Sequence, residues 1–199
     1  MSPRARTARE RREAAEARRA RRAEITDPDV VAEAAAAFLA VRARSVEETR
    51  RRLRHLGYPG ALCDQVVERF VQLGYLDDLG FARAWVESRD RARPRGTLAL
   101  RRELQLKGVP DDTIAEALAA RAEQAALTSD EASGPSQVDV LAARRLIERR
   151  SSTLRREPDP RRRRQKAYAL LARHGFTPDI CHEVASAVAD DADTSTWGV

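Results

Sequence analysis

Three stretches of the chain carry the same punctuation: "LRHLGYPGALCDQVV" at 53–67, "LQLKGVPDDTIAEAL" at 104–118 and "LARHGFTPDICHEVA" at 171–185. Each ends a helical pattern at a glycine (Gly57, Gly108, Gly175). An apolar residue follows (Tyr58, Val109, Phe176), then a proline one or two positions on (Pro59, Pro110, Pro178), and a second helical pattern begins. Glycine after a last helical turn accepts the left-handed conformation that closes it, and the next apolar residue packs back on that turn. Proline cannot continue a helix interior but suits entry to the next helix. The three junctions therefore predict one turn used three times. Cys63, Ile114 and Cys181 all stand six residues after the junction glycine. A position that accepts Cys, Ile and Cys is a core position, because a free cysteine behaves as a small buried hydrophobe.

A further helical segment precedes each junction helix. "VVAEAAAAFLAVRAR" (30–44) leads into "SVEETRRRLRHLG", where Ser45 and Glu48 form an S-x-x-E capping box. "DDLGFARAWVESRDRA" leads through "RPRG" (93–96) into "TLALRRELQLKG", and "VDVLAARRLIERRS" leads through "STLRREPDP" into "RRRRQKAYALLARHG". The predicted fold is all-α: three tandem three-helix repeats at 27–74, 75–126 and 138–190. A basic arm at 1–26, disordered or helical, precedes them. A polar linker at 127–137 separates the second from the third, and an acidic flexible tail, 191–199, holds an exposed Trp197.

Composition agrees. Charged residues make up 34% of the chain and aromatics 5%, so the cores must be built from Ala, Leu and Val. Period-2 alternation of β-branched residues is nearly absent, which argues against a sheet. No apolar run approaches the length of a membrane span. The N-terminus lacks the apolar centre of a secretory signal, and two cysteines form no disulfide framework, so a cytoplasmic protein with reduced thiols is expected. His174, Cys181 and His182 do not make a metal site. Cys181 and His182 are adjacent and point about 100° apart on a helix, and no fourth ligand is evident. No cofactor is expected, and no P-loop motif is present.

Adjacent acids at 77–78, in "LGYLDDLGFARAWVESR" (73–89), raise the question of catalysis. A carboxylate used as acid or base needs surroundings that shift its pKa, and no neighbouring His, Lys or Gly-rich loop supplies them. Gly74 ends a helix, and Asp77 or Asp78 then caps the next one. Phe81, Ala82, Trp85 and Val86 form the apolar face behind the cap. Trp85 is expected in the core, and Tyr58, Tyr75 and Phe176 are expected to plug the turns that they follow.

The stretch "GYLDDLGFARAWVESR…RPRG…LRRELQLKGVPDDTIAEAL" (74–118) resembles the central region of the RecX family, bacterial regulators of the RecA recombinase. The likeness rests on the Gly-Tyr-Leu-Asp-Asp turn, the Phe-Ala in the following helix, the Arg-x-Arg-Gly turn and the helix end from Glu103 to Val109, in that order. The flanking repeats extend it over roughly 28–190, while the N-terminal arm and the turn at 157–160 depart from the pattern. The residues themselves predict a helical scaffold without a catalytic centre, and hence no enzyme, while the resemblance implies an elongated, curved body of three-helix units. It implies a partner, the RecA filament on single-stranded DNA, whose growth, ATP hydrolysis and strand exchange it inhibits. That places the chain in homologous recombination, DNA repair and the SOS response. The expected state is a monomer.

The charge distribution points to an anionic partner independently. Residues 1–24 carry nine Arg against four Glu, and residues 144–166 carry eleven basic against three acidic groups, while the remainder is net acidic. The candidate contacts are Arg161, Arg162, Arg163, Arg164 and Lys166, which open the second helix of the last repeat, and Arg144, Arg145, Arg149 and Arg150 on the helix before it. Arg50, Arg51, Arg52 and Arg54 occupy the comparable helix of the first repeat, and Arg101 and Arg102 that of the second. Arginines at a helix N-terminus oppose its dipole, at a cost of a few tenths of a kcal/mol each, which an anion would relieve. Single- or double-stranded DNA is the second candidate partner, with the chain as an autonomous helix-turn-helix reader. Against that reading, no second helix carries the Asn/Gln/Arg mixture that reads base edges, and the helices at 60–73 and 111–124 are acidic or neutral.

Overall fold

The computed structural model describes residues 3–128 and 135–190. Among the described residues the chain forms ten α-helices and no strand: α1 (Pro3–Ala23), α2 (Pro28–Leu39), α3 (Val46–Leu56), α4 (Gly60–Gln72), α5 (Asp78–Ala92), α6 (Thr97–Leu106), α7 (Asp111–Thr128), α8 (Pro135–Leu154), α9 (Pro160–Arg173) and α10 (Pro178–Asp190). The repeats are α2–α4, α5–α7 and α8–α10. Helix α7 runs on to Thr128 and α8 begins at Pro135, so both enter the stretch read as linker; residues 129–134, the tail 191–199 and Trp197 lie outside the described residues. By compactness the chain divides into two units, residues 1–81 with 107–109, and residues 82–106 with 110–199.

In the first unit, Val31 and Ala35 of α2, Leu53 of α3, and Cys63, Val66, Val67 and Phe70 of α4 form one buried cluster with Tyr58 and Leu76. Asp27 accepts from the Asp29 N–H and Pro28 takes the first turn, so α2 starts on a cap and a pre-set φ. Ser45 Oγ accepts the Glu48 N–H while the Glu48 carboxylate accepts the Ser45 N–H, completing the expected capping box of α3. The junction closes as predicted. Gly57 has φ 102°, and the Tyr58 N–H reaches back to the Leu53 carbonyl at 3.4 Å. Helix α1 covers this turn. Arg22 donates to the Leu56 carbonyl at 3.3 Å with its guanidinium 5.6 Å from the Tyr58 ring centre, and a Cβ on Gly57 would collide with Arg19. The arm is thus helical, with its last turns seated on the first junction.

In the second unit, Val140, Ala143 and Leu146 of α8, Leu171 of α9, and Phe176, Ile180, Cys181 and Val184 of the junction and α10 form the corresponding core. Leu100, Leu104, Ile114 and Ala117 are buried on α6 and α7. Asp159 and Pro160 start α9 with the device that starts α2. Gly175 has φ 80°, and the Phe176 N–H reaches the Leu171 carbonyl at 3.4 Å, repeating the bond at Gly57. Cys63, Ile114 and Cys181 are all fully buried. Each thiol donates to the carbonyl of its turn residue, Cys63 to Tyr58 at 3.7 Å and Cys181 to Phe176 at 3.6 Å. Burial raises both thiols above their ordinary range, which makes them inert.

Candidate functional site

The two adjacent acids do different work. Asp77 Oδ1 accepts the N–H groups of Leu79 and Gly80 at 2.9 and 3.0 Å, which makes Asp77 the cap of α5. Asp78 does not cap its own helix. Its Oδ1 accepts the Val46 N–H at 2.9 Å, at the start of α3. Burial pushes the Asp78 carboxyl up, and the bond from Val46 works against that. The third repeat does the same for the second: Asp139, near the start of α8, accepts the Thr97 N–H on α6 through Oδ2 at 2.8 Å.

Two aromatic expectations need correction. Tyr75 is 67% exposed, with its ring edge-on to Phe70, and Leu76 takes the buried place after Gly74 instead. Trp85 is half-buried in a polar arrangement rather than in the core. Its indole N–H donates to Glu103 Oε2 at 2.9 Å, and the Arg89 guanidinium lies 4.1 Å over the ring while bonded to the same oxygen. Indole is amphipathic, so an i,i+4 pattern alone does not separate the two placements.

The basic candidates of the first repeat are largely engaged. Arg50 pairs with Glu47 and Asp64 at 2.9 Å each, Arg51 with Glu47 at 2.8 Å, and Arg54 holds both oxygens of Asp64. Burial alone would raise Glu47, but Arg50 and Arg51 outweigh it and hold the carboxyl below its ordinary range. Arg52 is exposed, 5.8 Å from the Phe38 ring centre. In the second repeat Arg101 is half-buried and Arg102 exposed.

In the third repeat, Arg149 donates to the Ala92 and Arg91 carbonyls at 2.9 and 2.7 Å, closing the C-terminus of α5. Arg163 binds the Glu157 and Pro158 carbonyls, and Lys166 pairs with the Glu157 carboxylate, so both secure the turn before α9. Arg162 and Arg144 make looser pairs of 3.6 Å with Asp159 and Glu183. Arg145, Arg150, Arg161 and Arg164 are exposed and, among the described residues, their side chains make no hydrogen bond or ion pair. Arg144, Arg145 and Arg163 also line a groove of about 960 Å³ between α8 and α10, floored by Leu141, Leu154 and Val184.

A deeply buried cation, Arg121 on α7, has no distinguishing mark in the sequence, yet its side chain is only 6% exposed. It binds both oxygens of Asp90 at 2.8 Å and Asp139 Oδ1 at 2.7 Å, and reaches the Arg95 carbonyl at 3.3 Å. Burial alone would lower its pKa, but Asp90 and Asp139 together raise it. Among the described residues, no group of three or more His, Cys, Asp or Glu side chains is placed to hold a metal, and no helix is long and apolar enough to cross a membrane.

Repeated three-helix units, with side chains committed to caps, turns and exposed basic faces, define a helical-repeat interaction protein. Comparison with known sequences names the family. Models of the first, second and third three-helix domains of RecX match residues 32–70, 77–118 and 138–184. The regulatory protein RecX of Mycolicibacterium smegmatis is 32% identical over 159 residues, 74% of this chain and 73% of that protein. That of Prosthecochloris aestuarii is 44% identical over 84 residues, 42% of this chain and 56% of that protein. The chain belongs to the RecX family, whose members named here are regulatory proteins. The crystal structure of RecX from Lactobacillus salivarius shares the fold, with a TM-score of 0.63 over 84% of this chain and 97% of that one, at 18% identity.

Proposed function

We propose that this chain regulates the RecA recombinase, binding the RecA filament on single-stranded DNA and restraining its growth, ATP hydrolysis and strand exchange, as a cytoplasmic monomer. The observation that carries this is the presence, in order, of all three RecX three-helix domains. Three copies of one unit offer several modest contacts on a single chain, and after the first is made the others are intramolecular, which raises avidity without strong individual contacts. The arginines left open on α8 and α9 supply charge for an anionic groove or an acidic protein surface.

The test is ATP hydrolysis by the cognate RecA on single-stranded DNA, with this chain titrated well below the RecA concentration. Inhibition at substoichiometric amounts supports the proposal. Arg161→Ala/Arg162→Ala/Arg164→Ala leaves Arg163 in place to hold the turn before α9, and loss of inhibition in that variant assigns the start of α9 to the interface. No inhibition, together with salt-sensitive binding to naked DNA, overturns the proposal in favour of an autonomous DNA binder.

A further inference from the structure

The turn between α5 and α6, Arg93-Pro94-Arg95-Gly96, is pinned at two points far away in sequence. The Gly96 N–H donates to the His174 carbonyl at 3.0 Å. A Cβ on Gly96 would collide with the Gly175 carbonyl and lie 2.6 Å from the Phe176 nitrogen, so only glycine allows this approach. Arg149 clamps the end of α5 to α8.

These ties gather arginines from three segments around one histidine: Arg95 from the turn, Arg150 from α8 and Arg173 from the end of α9. Burial holds the His174 imidazole below its ordinary range, and the charges of Arg95, Arg150 and Arg173 push it the same way, against the Leu170 carbonyl 2.8 Å from Nδ1. Arg150 and Arg173 are exposed and, among the described residues, their side chains make no hydrogen bond or ion pair. Arg95 pairs with Glu103 at 3.4 Å, although its buried Nε has no hydrogen-bond partner. Glu103 is already held by Trp85 and Arg89.

The C-terminal dipole of α9 is reason enough for a cation at Arg173. It does not explain Arg95 and Arg150, which come from other elements and raise the repulsion at one place. The one carboxylate paired with this group, Glu103, is shared between Arg95 and Arg89; like charges in excess of their counter-charges weaken a fold, and a bound anion removes that penalty. The gathered groups are donors with planar forks, which match phosphate oxygens two at a time.

We propose that Arg95, Arg150 and Arg173, grouped around His174, form a contact for the phosphate backbone of a single nucleic-acid strand. The choice of a single strand rests on the filament function proposed above, whereas the site itself is tested without RecA. Phosphates repeat along a strand, so neighbouring arginines take neighbouring phosphates, and the contact fixes position without reading sequence.

The experiment uses the full chain and a labelled oligothymidylate. Arg150→Ala/Arg173→Ala is compared with Arg69→Ala/Arg83→Ala, which removes the same charge from exposed positions outside the basic blocks. The first variant is expected to bind about tenfold more weakly at low salt, with the slope of log K against log salt falling by about 0.7 for each phosphate that the variant no longer neutralises. The control is expected to change less than about twofold. In the unaltered chain, the oligonucleotide should raise the His174 pKa followed by NMR, a readout that needs no variant to fold. Equal binding by the two variants, or a His174 titration unmoved by bound oligonucleotide, overturns the site. An equal shift from inorganic phosphate at the same phosphate concentration overturns the nucleic-acid assignment in favour of a small-anion site. None of these outcomes depends on RecA inhibition, so the two proposals fail separately.

Discussion

Asp78 accepts the backbone N–H of Val46 at 2.9 Å, so the first residue of α5 caps a helix that begins 32 residues earlier. The bond needs an acceptor at that place and not a charge, while burial works against the charge. Because the folded carboxyl titrates above its ordinary value, the folded state keeps its proton to higher pH than the unfolded chain does. The burial cost is therefore absent in acid and appears as pH rises from the ordinary value through the folded one. Asp78→Asn is expected to match or exceed the parent in urea denaturation at neutral pH, whereas Asp78→Ala loses about 1 kcal/mol.

Arg121 is expected to be the costliest single polar position. Replacing it with Met leaves the buried Asp139 and the half-buried Asp90 without their cation, and breaking a buried pair from one side costs about 3–5 kcal/mol. Adding Asp90→Asn and Asp139→Asn to Arg121→Met removes the stranded charges and is expected to recover most of that loss. Denaturant midpoints of the parent, the single and the triple variant decide the matter. A triple variant no more stable than the single one assigns the cost to poorer packing instead.

The glycine junctions, the Ser45–Glu48 box and the core register of Cys63, Ile114 and Cys181 were legible in the sequence because they are local. Each depends on residues within about one helical turn of the next, where backbone geometry leaves few choices. The long-range polar bonds were not. Asp78 reads as a cap, but its partner is on another helix, and Arg121 in "AEALAARAEQAAL" looks like any exposed helical arginine until Asp90 and Asp139 close around it. The candidate basic surface was legible as composition and not as availability. Arg51 and Arg161 are equally plausible in sequence, yet Arg51 holds Glu47 while Arg161 stays open. Trp85 failed for a related reason: its spacing is apolar, but its N–H had a carboxylate to find.

Gly74 and Gly175 separate backbone strain from steric closure. Both hold positive φ, 73° and 80°, but a Cβ on Gly74 meets nothing within 4 Å, whereas one on Gly175 would run into Ala99, 2.5 Å from its backbone nitrogen. Gly74→Ala is expected to cost the conformational penalty alone, about 1–2 kcal/mol. Gly175→Ala must also displace the first turn of α6, so its Tm is expected to fall well below that of Gly74→Ala. Similar Tm values in the two variants would mean that the α6 contact yields freely.

Glu48 gives the first unit a pH dependence of opposite sign to that of Asp78. Burial on its own would raise the Glu48 carboxyl, but the Lys107 ammonium at 2.7 Å, the Ser45 N–H and the charge of Arg42 outweigh it and hold the group below its ordinary range. A carboxylate with a depressed folded pKa contributes stability that is complete above its unfolded value and is lost as pH falls through the folded one. Ser45 Oγ donates to the Lys107 carbonyl at 2.5 Å beside the same pair, so the 107–109 turn and the start of α3 share this link. Lys107→Met removes the largest favourable partner and leaves the Ser45 bonds intact. Urea midpoints measured from neutral pH down through the carboxylate range are expected to fall less steeply for Lys107→Met than for the parent, and the two curves to converge in acid. Parallel curves would assign the acid sensitivity to other carboxylates, with Glu47 between Arg50 and Arg51 the first to test in the same way.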